Sequence, residues 1–237
     1  MKIVCVIPAR LSSKRLPNKI LMQIDGVTML EHVYRKVIQS QVDDVFIACD
    51  DEETLRVIHS FGGKGIMTSK SHTSGTARIH SILDEIEADY ILNVQADEPL
   101  ISPNSIDLLL ESIDNSFEVY TLCTSFSKTE NIDDPNLVKT FINSDSSALV
   151  FTRETKHFDS SVYKHLGVYL YTKDKLKSFF SLPMSVNEKI ENLEQLRFLD
   201  NGIPIKLVYT NDNAYGVNTI EEFEHVKNLI ESNKLRK

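Results

Sequence analysis

Cysteine is scarce in this 237-residue sequence, which contains three cysteines in all. Cys5, Cys49 and Cys123 are odd in number, widely spaced and embedded in apolar runs. This pattern argues against a disulfide framework or a cysteine-based zinc site. It predicts three buried thiols in a reducing compartment.

Long apolar stretches are also missing. No segment approaches the roughly 20 apolar residues that a membrane-spanning helix needs. The apolar run near the N-terminus is too short for the core of a signal peptide, and no small-residue cleavage site follows it. These absences predict a cytoplasmic protein without a membrane partner.

Positive charge is in the minority, with 26 basic against 34 acidic residues and a formal net charge of -8. The field of such a molecule repels polyanions, so we expect no nucleic acid as a partner. A local basic pocket for one small anion remains compatible with this charge.

What the sequence does contain is an alternation of short apolar runs and amphipathic helical patterns. Residues 2–7, 45–49 and 90–94 are near-continuous apolar runs, which are typical of a parallel sheet covered on both faces. The predicted fold class is therefore α/β, with three layers and a mostly parallel sheet, in one domain over residues 1–237 with a possible subsidiary lobe within 125–200. Further strands are predicted at residues 65–68, 119–125, 137–142, 148–152, 164–171 and 206–209, and helices at 29–38, 52–61, 76–86, 103–113, 173–180, 188–200 and 219–230.

A cationic loop follows the first predicted strand. Residues 8–19 carry Arg10, Lys14, Arg15 and Lys19 among small polar residues and two prolines. Guanidinium forks, ammonium groups and backbone N–H groups at the carboxyl end of a strand can surround a triphosphate, although a solvated basic loop is the alternative. The signatures GxxxxGK[ST] and GxGxxG are both missing, which argues against a kinase and a dinucleotide oxidoreductase.

Two further segments carry candidate chemistry. The predicted strand at 90–94 runs into Asp97 and Glu98, where a carboxylate can hold Mg²⁺ against phosphate oxygens; the alternative is an acidic turn. Paired with the cationic loop, this segment indicates metal-assisted phosphoryl or nucleotidyl transfer. The hydroxyl and N–H groups of residues 71–78 can contact a base or ribose, and the alternative is a helix cap followed by an exposed Arg78.

Taken in order, these segments resemble 3-deoxy-manno-octulosonate cytidylyltransferases, the CMP-Kdo synthetases that activate the sugar Kdo for lipopolysaccharide. The resemblance runs almost end to end, and the cationic loop is shared with other CMP-sugar synthetases, whereas the segments around His165 and Glu194-Gln195 are specific to the Kdo branch. It implies a Rossmann-like, GT-A-like nucleotide-diphospho-sugar transferase fold and a reaction of CTP with an acidic 2-keto sugar that gives CMP-sugar and pyrophosphate. The similar segments are residues 7–10, 15–19, 73–78, 93–100, 134–139, 151–153, 164–169, 191–197 and 216–219.

The resemblance also implies roles for individual residues, Mg²⁺ as the cofactor and a homodimer as the assembly. The implied catalytic residues are Arg10, Lys19 and Asp97, and the implied metal ligands are Asp97 and Asn218. The implied nucleotide-binding residues are Pro8, Ala9, Arg10, Arg15, Ser74, Gly75 and Arg78. The implied sugar-binding residues are Gln95, Arg153, His165, Tyr169, Glu194 and Gln195, with the arginine meeting the sugar carboxylate and the lobe at 125–200 contributing to sugar binding or dimerisation.

Three places depart from the family pattern. Asn218 stands where an aspartate is usual, Ala96 stands where a glycine is usual, and residues 154–157 replace an Ile-Pro pair and a longer loop. An amide oxygen can coordinate Mg²⁺ but brings no charge, so a weaker metal affinity is expected. Elsewhere, the three-residue spacing of Glu188 and Glu191 is typical of a solvated helix face.

Three alternatives to Kdo activation stay open at this level. The first is a CMP-sugar synthetase for another acid, such as amino-Kdo. The second is a metal-dependent glycosyltransferase in which Asp97 and Glu98 hold a nucleotide-sugar diphosphate, although the cationic loop suits a triphosphate better. The third is a non-catalytic CTP-binding protein on the same scaffold, which Asn218 and Ala96 support.

Overall fold

The computed structural model describes residues 1–13, 15–128, 130–154, 161–212 and 215–234. Lys14 and residues 155–157, which the sequence analysis singled out, lie outside the described residues. The chain divides into two compact units, Met1–Asp107 with Asn213–Lys237 and Leu108–Asp212. The predicted lobe at 125–200 falls within the second unit, and its role stays a prediction.

The first unit is built from strands and helices in alternation. They are β1 (Ile3–Ala9), β2 (Gln23–Ile24), β3 (Val27–Thr28), α1 (Met29–Val37), β4 (Asp44–Cys49), α2 (Glu52–Ser60), β5 (Lys64–Met67), α3 (Gly75–His80), β6 (Tyr90–Asn93) and α4 (Pro103–Glu111), whose last residues enter the second unit.

The strands of the first unit pair in parallel around β1. Every residue of β1 is buried, as its continuous apolar run predicted. β1 pairs with β4 on one side and with β6 on the other, and β4 pairs with β5. The strands that follow β1 in the chain, β4 and β5, are therefore added on one side of it, whereas β6 is added on the other side. The loops that leave β1 and β6 start side by side at the point where this order reverses. Such a switch point is the usual ligand site of an open α/β sheet.

The second unit has a mixed arrangement. Its elements are β7 (Val119–Thr124), β8 (Lys139–Ile142), β9 (Ala148–Thr152), β10 (Tyr163–Thr172), α5 (Lys173–Ser178), α6 (Val186–Glu191), α7 (Leu196–Asp200) and β11 (Ile205–Tyr209), after which the chain returns to the first unit as α8 (Ile220–Lys234). β7 pairs in parallel with β11 and antiparallel with β10, while β8 pairs antiparallel with both β9 and β10. An irregularity in β10 between Leu166 and Tyr169 shifts its register against β7.

Two predicted helices are wrong in their extent. The helix predicted at 76–86 ends at His80 and is followed by a separate 3₁₀ turn, Leu83–Glu85. The helix predicted at 188–200 is two helices, because Asn192 adopts a left-handed conformation (φ 53°) that ends α6. Asparagine tolerates this conformation better than most residues, so it stops a helix although the helical spacing of the sequence continues.

One hairpin was missed. β2 and β3 pair antiparallel across Asp25 and Gly26, which both have positive φ (54° and 74°). Two consecutive positive φ angles are required by a tight hairpin turn, and Asp-Gly is a favoured pair there. The strands are too short to give an alternation pattern.

The three cysteines are free and buried, as predicted. Burial raises the pKa of the Cys123 thiol to about 12 and that of the Cys49 thiol to about 11. These groups are therefore protonated at neutral pH and behave as small apolar side chains. In the part of the chain that the structure describes, no helix has the length and apolar character needed to cross a membrane.

Candidate functional site

The cationic loop and the acidic segment meet in the first unit, at the switch point between β1 and β6. The loop begins at Arg10, directly after β1, and Asp97 lies four residues beyond the end of β6. Leu16 anchors the loop in an apolar cluster with Ile24, Met29, Val217, Phe223 and Val226. The buried apolar side chains of α8 thus anchor the cationic loop through this cluster.

The Lys19 side chain contacts the other parts of this site. Its ammonium group donates hydrogen bonds to the Asp97 carboxylate, to the Val217 carbonyl at 2.9 Å and to Asn218 Oδ1 at 3.3 Å. Arg15 Nη2 donates to the same Asn218 oxygen at 2.9 Å. Three oxygen atoms from two distant parts of the sequence therefore face one cationic position.

The start of α8 sets the position of Val217 and Asn218. The Val217 N–H donates to the Asp97 carbonyl at 2.8 Å, which ties the segment before the helix to the acidic loop. Thr219 caps the helix, because its hydroxyl accepts from the Glu222 N–H at 3.2 Å while the Glu222 carboxylate accepts from the Thr219 N–H at 2.9 Å. This reciprocal capping box fixes the residue next to it, Asn218.

A cavity of about 680 Å³ opens beside these residues. It is lined by three cations and several polar groups but by no carboxylate among the described residues: Arg10, Ser12, Ser13, Arg15, Pro17, Asn18, Lys19 and Asn218. The Arg10 side chain is exposed. A concave surface with three converging cations in a protein of net charge -8 is suited to a small polyanion such as a triphosphate.

Three of the predicted ligand-binding residues lie next to one another beside this loop. A Cβ atom on Gly75 would stand 3.0 Å from Pro8 Cγ and 3.2 Å from Gln95 Oε1. Only glycine fits this close approach without displacement of its neighbours. Ser74 caps α3 through the Ala77 N–H at 3.2 Å, and Ala9 is buried at the end of β1.

The alternative for residues 71–78 was a helix cap followed by an exposed Arg78; the cap is present at Ser74, but the exposure of Arg78 was predicted wrongly. Arg78 is 2% exposed, and its Nη2 donates to Asp50 Oδ2 at 2.8 Å. Its Nη1 donates to Thr68 Oγ1 and to the Ser69 carbonyl. Sequence reasoning missed Asp50, although Asp50 directly follows β4 just as Arg10 directly follows β1. The role of Arg78 in nucleotide binding stays a prediction.

In the second unit, His165 and Tyr169 lie on β10 in an aromatic environment. The His165 ring contacts Phe151 edge-on (4.9 Å between centroids) and Tyr169 in a tilted arrangement (5.4 Å). Its Nε2 is 2.9 Å from Thr121 Oγ1. Burial lowers the pKa of His165 to about 3, so the ring is neutral at physiological pH.

Arg153 directly follows β9 and is held by several hydrogen bonds. Its Nε donates to the Glu191 carbonyl at 3.1 Å, and its Nη1 donates to the Pro135 carbonyl at 2.9 Å. The buried Lys139 ammonium donates to the Arg153 carbonyl at 2.8 Å and to the Asp134 carbonyl at 2.7 Å. The guanidinium is thereby fixed on one side by main-chain carbonyls.

The interpretation of Glu188 and Glu191 as a solvated face is wrong. The Glu191 carboxylate accepts from Thr152 Oγ1 at 2.8 Å and from the Arg153 N–H at 2.9 Å. Glu188 is buried and accepts two hydrogen bonds from Arg197, at 2.9 and 2.6 Å. A three-residue spacing cannot distinguish a solvated face from one that packs against a strand bearing polar partners.

Glu194 and Gln195 immediately precede α7. Gln195 is 7% exposed. Glu194 is half-buried. The role of Glu194 and Gln195 in sugar binding stays a prediction.

Comparison with known proteins agrees with this geometry. The sequence profile of a family described as Cytidylyltransferase matches residues 4–207. A 3-deoxy-manno-octulosonate cytidylyltransferase from Thermodesulfovibrio yellowstonii is 39% identical, with 94% of this chain and 96% of that protein covered. One of the same name from Fusobacterium nucleatum is 38% identical over the whole of both chains.

Among solved structures, a CMP:2-keto-3-deoxy-manno-octonic acid synthetase complexed with CTP matches with a TM-score of 0.94 and 37% identity. The match covers 98% of this chain and all of that one. This likeness confirms the fold class expected from the sequence.

Proposed function

The chain belongs to the cytidylyltransferase family, and we propose that it transfers the cytidylyl group of CTP to 3-deoxy-manno-octulosonate (Kdo) and releases pyrophosphate. The observation that carries this proposal is the meeting of the cationic cavity with Asp97 at the switch point of the sheet. The full-length similarity to enzymes named for Kdo supports the choice of sugar.

In the proposed reaction, the anomeric hydroxyl of the sugar forms a bond to the α-phosphorus of CTP. The bond between the α-phosphorus and the bridging oxygen breaks, pyrophosphate leaves, and the hydroxyl proton is released. Negative charge grows on the departing pyrophosphate. Arg10, Arg15 and Lys19 line the cavity that would hold it, and their charges stabilise the leaving group without reorganisation.

The oxygen atoms that meet at Lys19 fit a divalent metal ion. The Asp97 carboxylate, the Asn218 amide and the Val217 carbonyl are hard oxygen donors of the kind that Mg²⁺ prefers. No group of three or more His, Cys, Asp or Glu side chains in the described ranges could hold a metal, so phosphate oxygens and water would complete the ligand set. When bound, Mg²⁺ would supply a Lewis acid for the phosphates.

For the sugar, Arg153 supplies the positive charge in this proposal. A neutral His165 cannot form an ion pair with the sugar carboxylate. Its ring nitrogens can still donate a hydrogen bond to a sugar hydroxyl or accept one from it. Tyr169, Gln95, Glu194 and Gln195 would supply the remaining polar contacts.

The proposal includes a reducing, cytoplasmic location and a homodimer. The three free, buried cysteines support the location. The exposed apolar side chains of Leu149 and Ile190, which line a cavity of about 690 Å³ in the second unit, support an interface between two copies.

The test is Mg²⁺-dependent release of pyrophosphate from CTP, with Kdo, amino-Kdo and sialic acid offered separately. Release with Kdo, abolished by Asp97→Ala, is the expected result. Release with amino-Kdo instead would reassign the sugar and keep the reaction. CTP binding without turnover on any sugar would overturn the proposal in favour of a non-catalytic binding protein.

A further inference from the structure

We infer that Asp50 is a positioning residue, which holds the cationic loop in place for the triphosphate of CTP. The inference rests on the proposed function. Asp50 was assigned no role by the sequence pattern, and it lines none of the described surface of the cationic cavity. Its carboxylate nevertheless contacts both the cationic loop, at Leu11, and α3, at Arg78.

The contacts of Asp50 join the loops that follow neighbouring strands. Its Oδ1 accepts from the Leu11 N–H at 3.1 Å, in the loop after β1 and next to Arg10. Its Oδ2 accepts from Arg78 Nη2 at 2.8 Å, on α3. One carboxylate thus links the chain after β1, the chain after β4 and the helix that follows β5.

Arg78 extends the same network to the end of β5. Its other guanidinium nitrogen donates to Thr68 Oγ1, and the Thr68 hydroxyl donates to the Cys49 carbonyl at 2.8 Å. Asp50 and Arg78 are 5% and 2% exposed, so solvent cannot replace either partner. Loss of one charge would leave the other buried and unpaired.

The position of Leu11 gives this network its effect on ligand binding. Leu11 is the residue after Arg10, so the hydrogen bond to Asp50 fixes the backbone from which the Arg10 side chain extends. Arg10 is exposed and lines the cavity. A guanidinium on a fixed backbone loses less entropy when it binds a phosphate than one on a mobile loop.

The experiment measures the dissociation constants of CTP and of inorganic tripolyphosphate, which probes the loop without the base, by calorimetry well below the melting temperature. In Asp50→Ala we expect both constants to rise about tenfold, the effect of one lost charged hydrogen bond. In Asp50→Asn, which keeps an acceptor for the Leu11 N–H, we expect a partial rescue.

A matched variant separates positioning from a general loss of stability. Glu188→Gln breaks the buried pair with Arg197 in the second unit, so it should lower the melting temperature comparably and leave both dissociation constants unchanged. If Asp50→Ala folds poorly, the dissociation constants of Asp50→Asn are compared with those of the wild type instead.

The outcomes are distinct. Unchanged constants in both Asp50 variants would overturn the inference and leave the proposed function standing. A loss of CTP binding with normal tripolyphosphate binding would overturn it as well, because the effect would then run through the base. A wild-type protein that binds neither compound would overturn both the inference and the proposed function.

Discussion

At the scale of single residues, the balance of charges around Lys19 sets the expected affinity of the proposed site for Mg²⁺ and for a triphosphate. Lys19 and Arg15 both donate to Asn218 Oδ1, and Asp97 is the carboxylate that faces Lys19. An amide at position 218 leaves the pair of cations less compensated than an aspartate would. This charge balance favours binding of the triphosphate and lowers the expected affinity for Mg²⁺.

Asn218→Asp should therefore lower the Mg²⁺ concentration that gives half-maximal pyrophosphate release, on the order of tenfold, because a second carboxylate joins the ligand set. Asn18→Asp is the control, since Asn18 lines the same cavity, whereas the amide oxygen that accepts from the Lys19 ammonium belongs to Asn218. A half-saturation point shared by wild type and Asn218→Asp would contradict the prediction.

His165 should make the protein acid-sensitive. Its pKa is lowered to about 3 in the fold, so between this value and the ordinary pKa of about 6.5 only the unfolded chain binds the proton. Stability is thus lost as the pH falls from about 6.5 towards 3.

His165→Gln should remove this dependence and keep a partner for Thr121. Urea denaturation at pH 7 and pH 5 checks the prediction. The stability difference between wild type and variant should shrink by up to about 2 kcal/mol at pH 5. If the stability difference between wild type and variant does not change with pH, the pKa of His165 is the same in the folded and the unfolded chain, and the prediction is wrong.

At the scale of elements, α6 and β9 together form a clamp around Arg153. The Glu191 carboxylate binds the Thr152 hydroxyl and the Arg153 N–H, while its carbonyl accepts from Arg153 Nε. The left-handed Asn192 ends α6 directly after Glu191 and so leaves that carbonyl free of a helical partner. The break in the predicted helix is therefore part of the clamp.

Glu191→Gln should raise the KM for the sugar about tenfold and leave the KM for CTP unchanged, because it weakens the hold on the backbone of Arg153. Lys189→Ala, at an exposed position of the same helix, is the matched control. Steady-state kinetics with each substrate varied in turn provide the measurement. Equal effects on both KM values would point to a loss of folded protein instead.

At the scale of the whole molecule, the exposed apolar side chains of the second unit are the observation that supports the proposed homodimer. Ile190 is 75% exposed and Leu149 is 59% exposed. Isolated apolar residues are common on surfaces, but these two line one cavity.

Ile190→Glu should convert the proposed homodimer to a monomer in sedimentation velocity at micromolar concentration, because a charge would be desolvated in the interface. Ile38→Glu, at an exposed isoleucine of the first unit, should leave the dimer intact. A wild-type protein that sediments as a monomer would refute the homodimer.

Much of the fold was predictable from local signals. The buried β1 and the strands after it are continuous apolar runs, and burial of both faces of a parallel sheet requires such runs. The cationic loop and Asp97 were identified because functional groups follow the carboxyl ends of such strands. The extents of α3 and of α6 with α7 were predicted wrongly, since helical spacing does not reveal where a backbone turns.

The sequence by itself determined the α/β pattern, the cationic loop, the acidic segment and the family, because each depends on residue types over short stretches. Only the tertiary structure decided that Asn218 and Val217 meet Lys19, that Arg78 is buried against Asp50, and that Glu191 faces β9. These contacts join residues 28 to 199 positions apart. The physical reason is that the burial of a charge depends on what the folded chain places against it, and no local spacing records that partner.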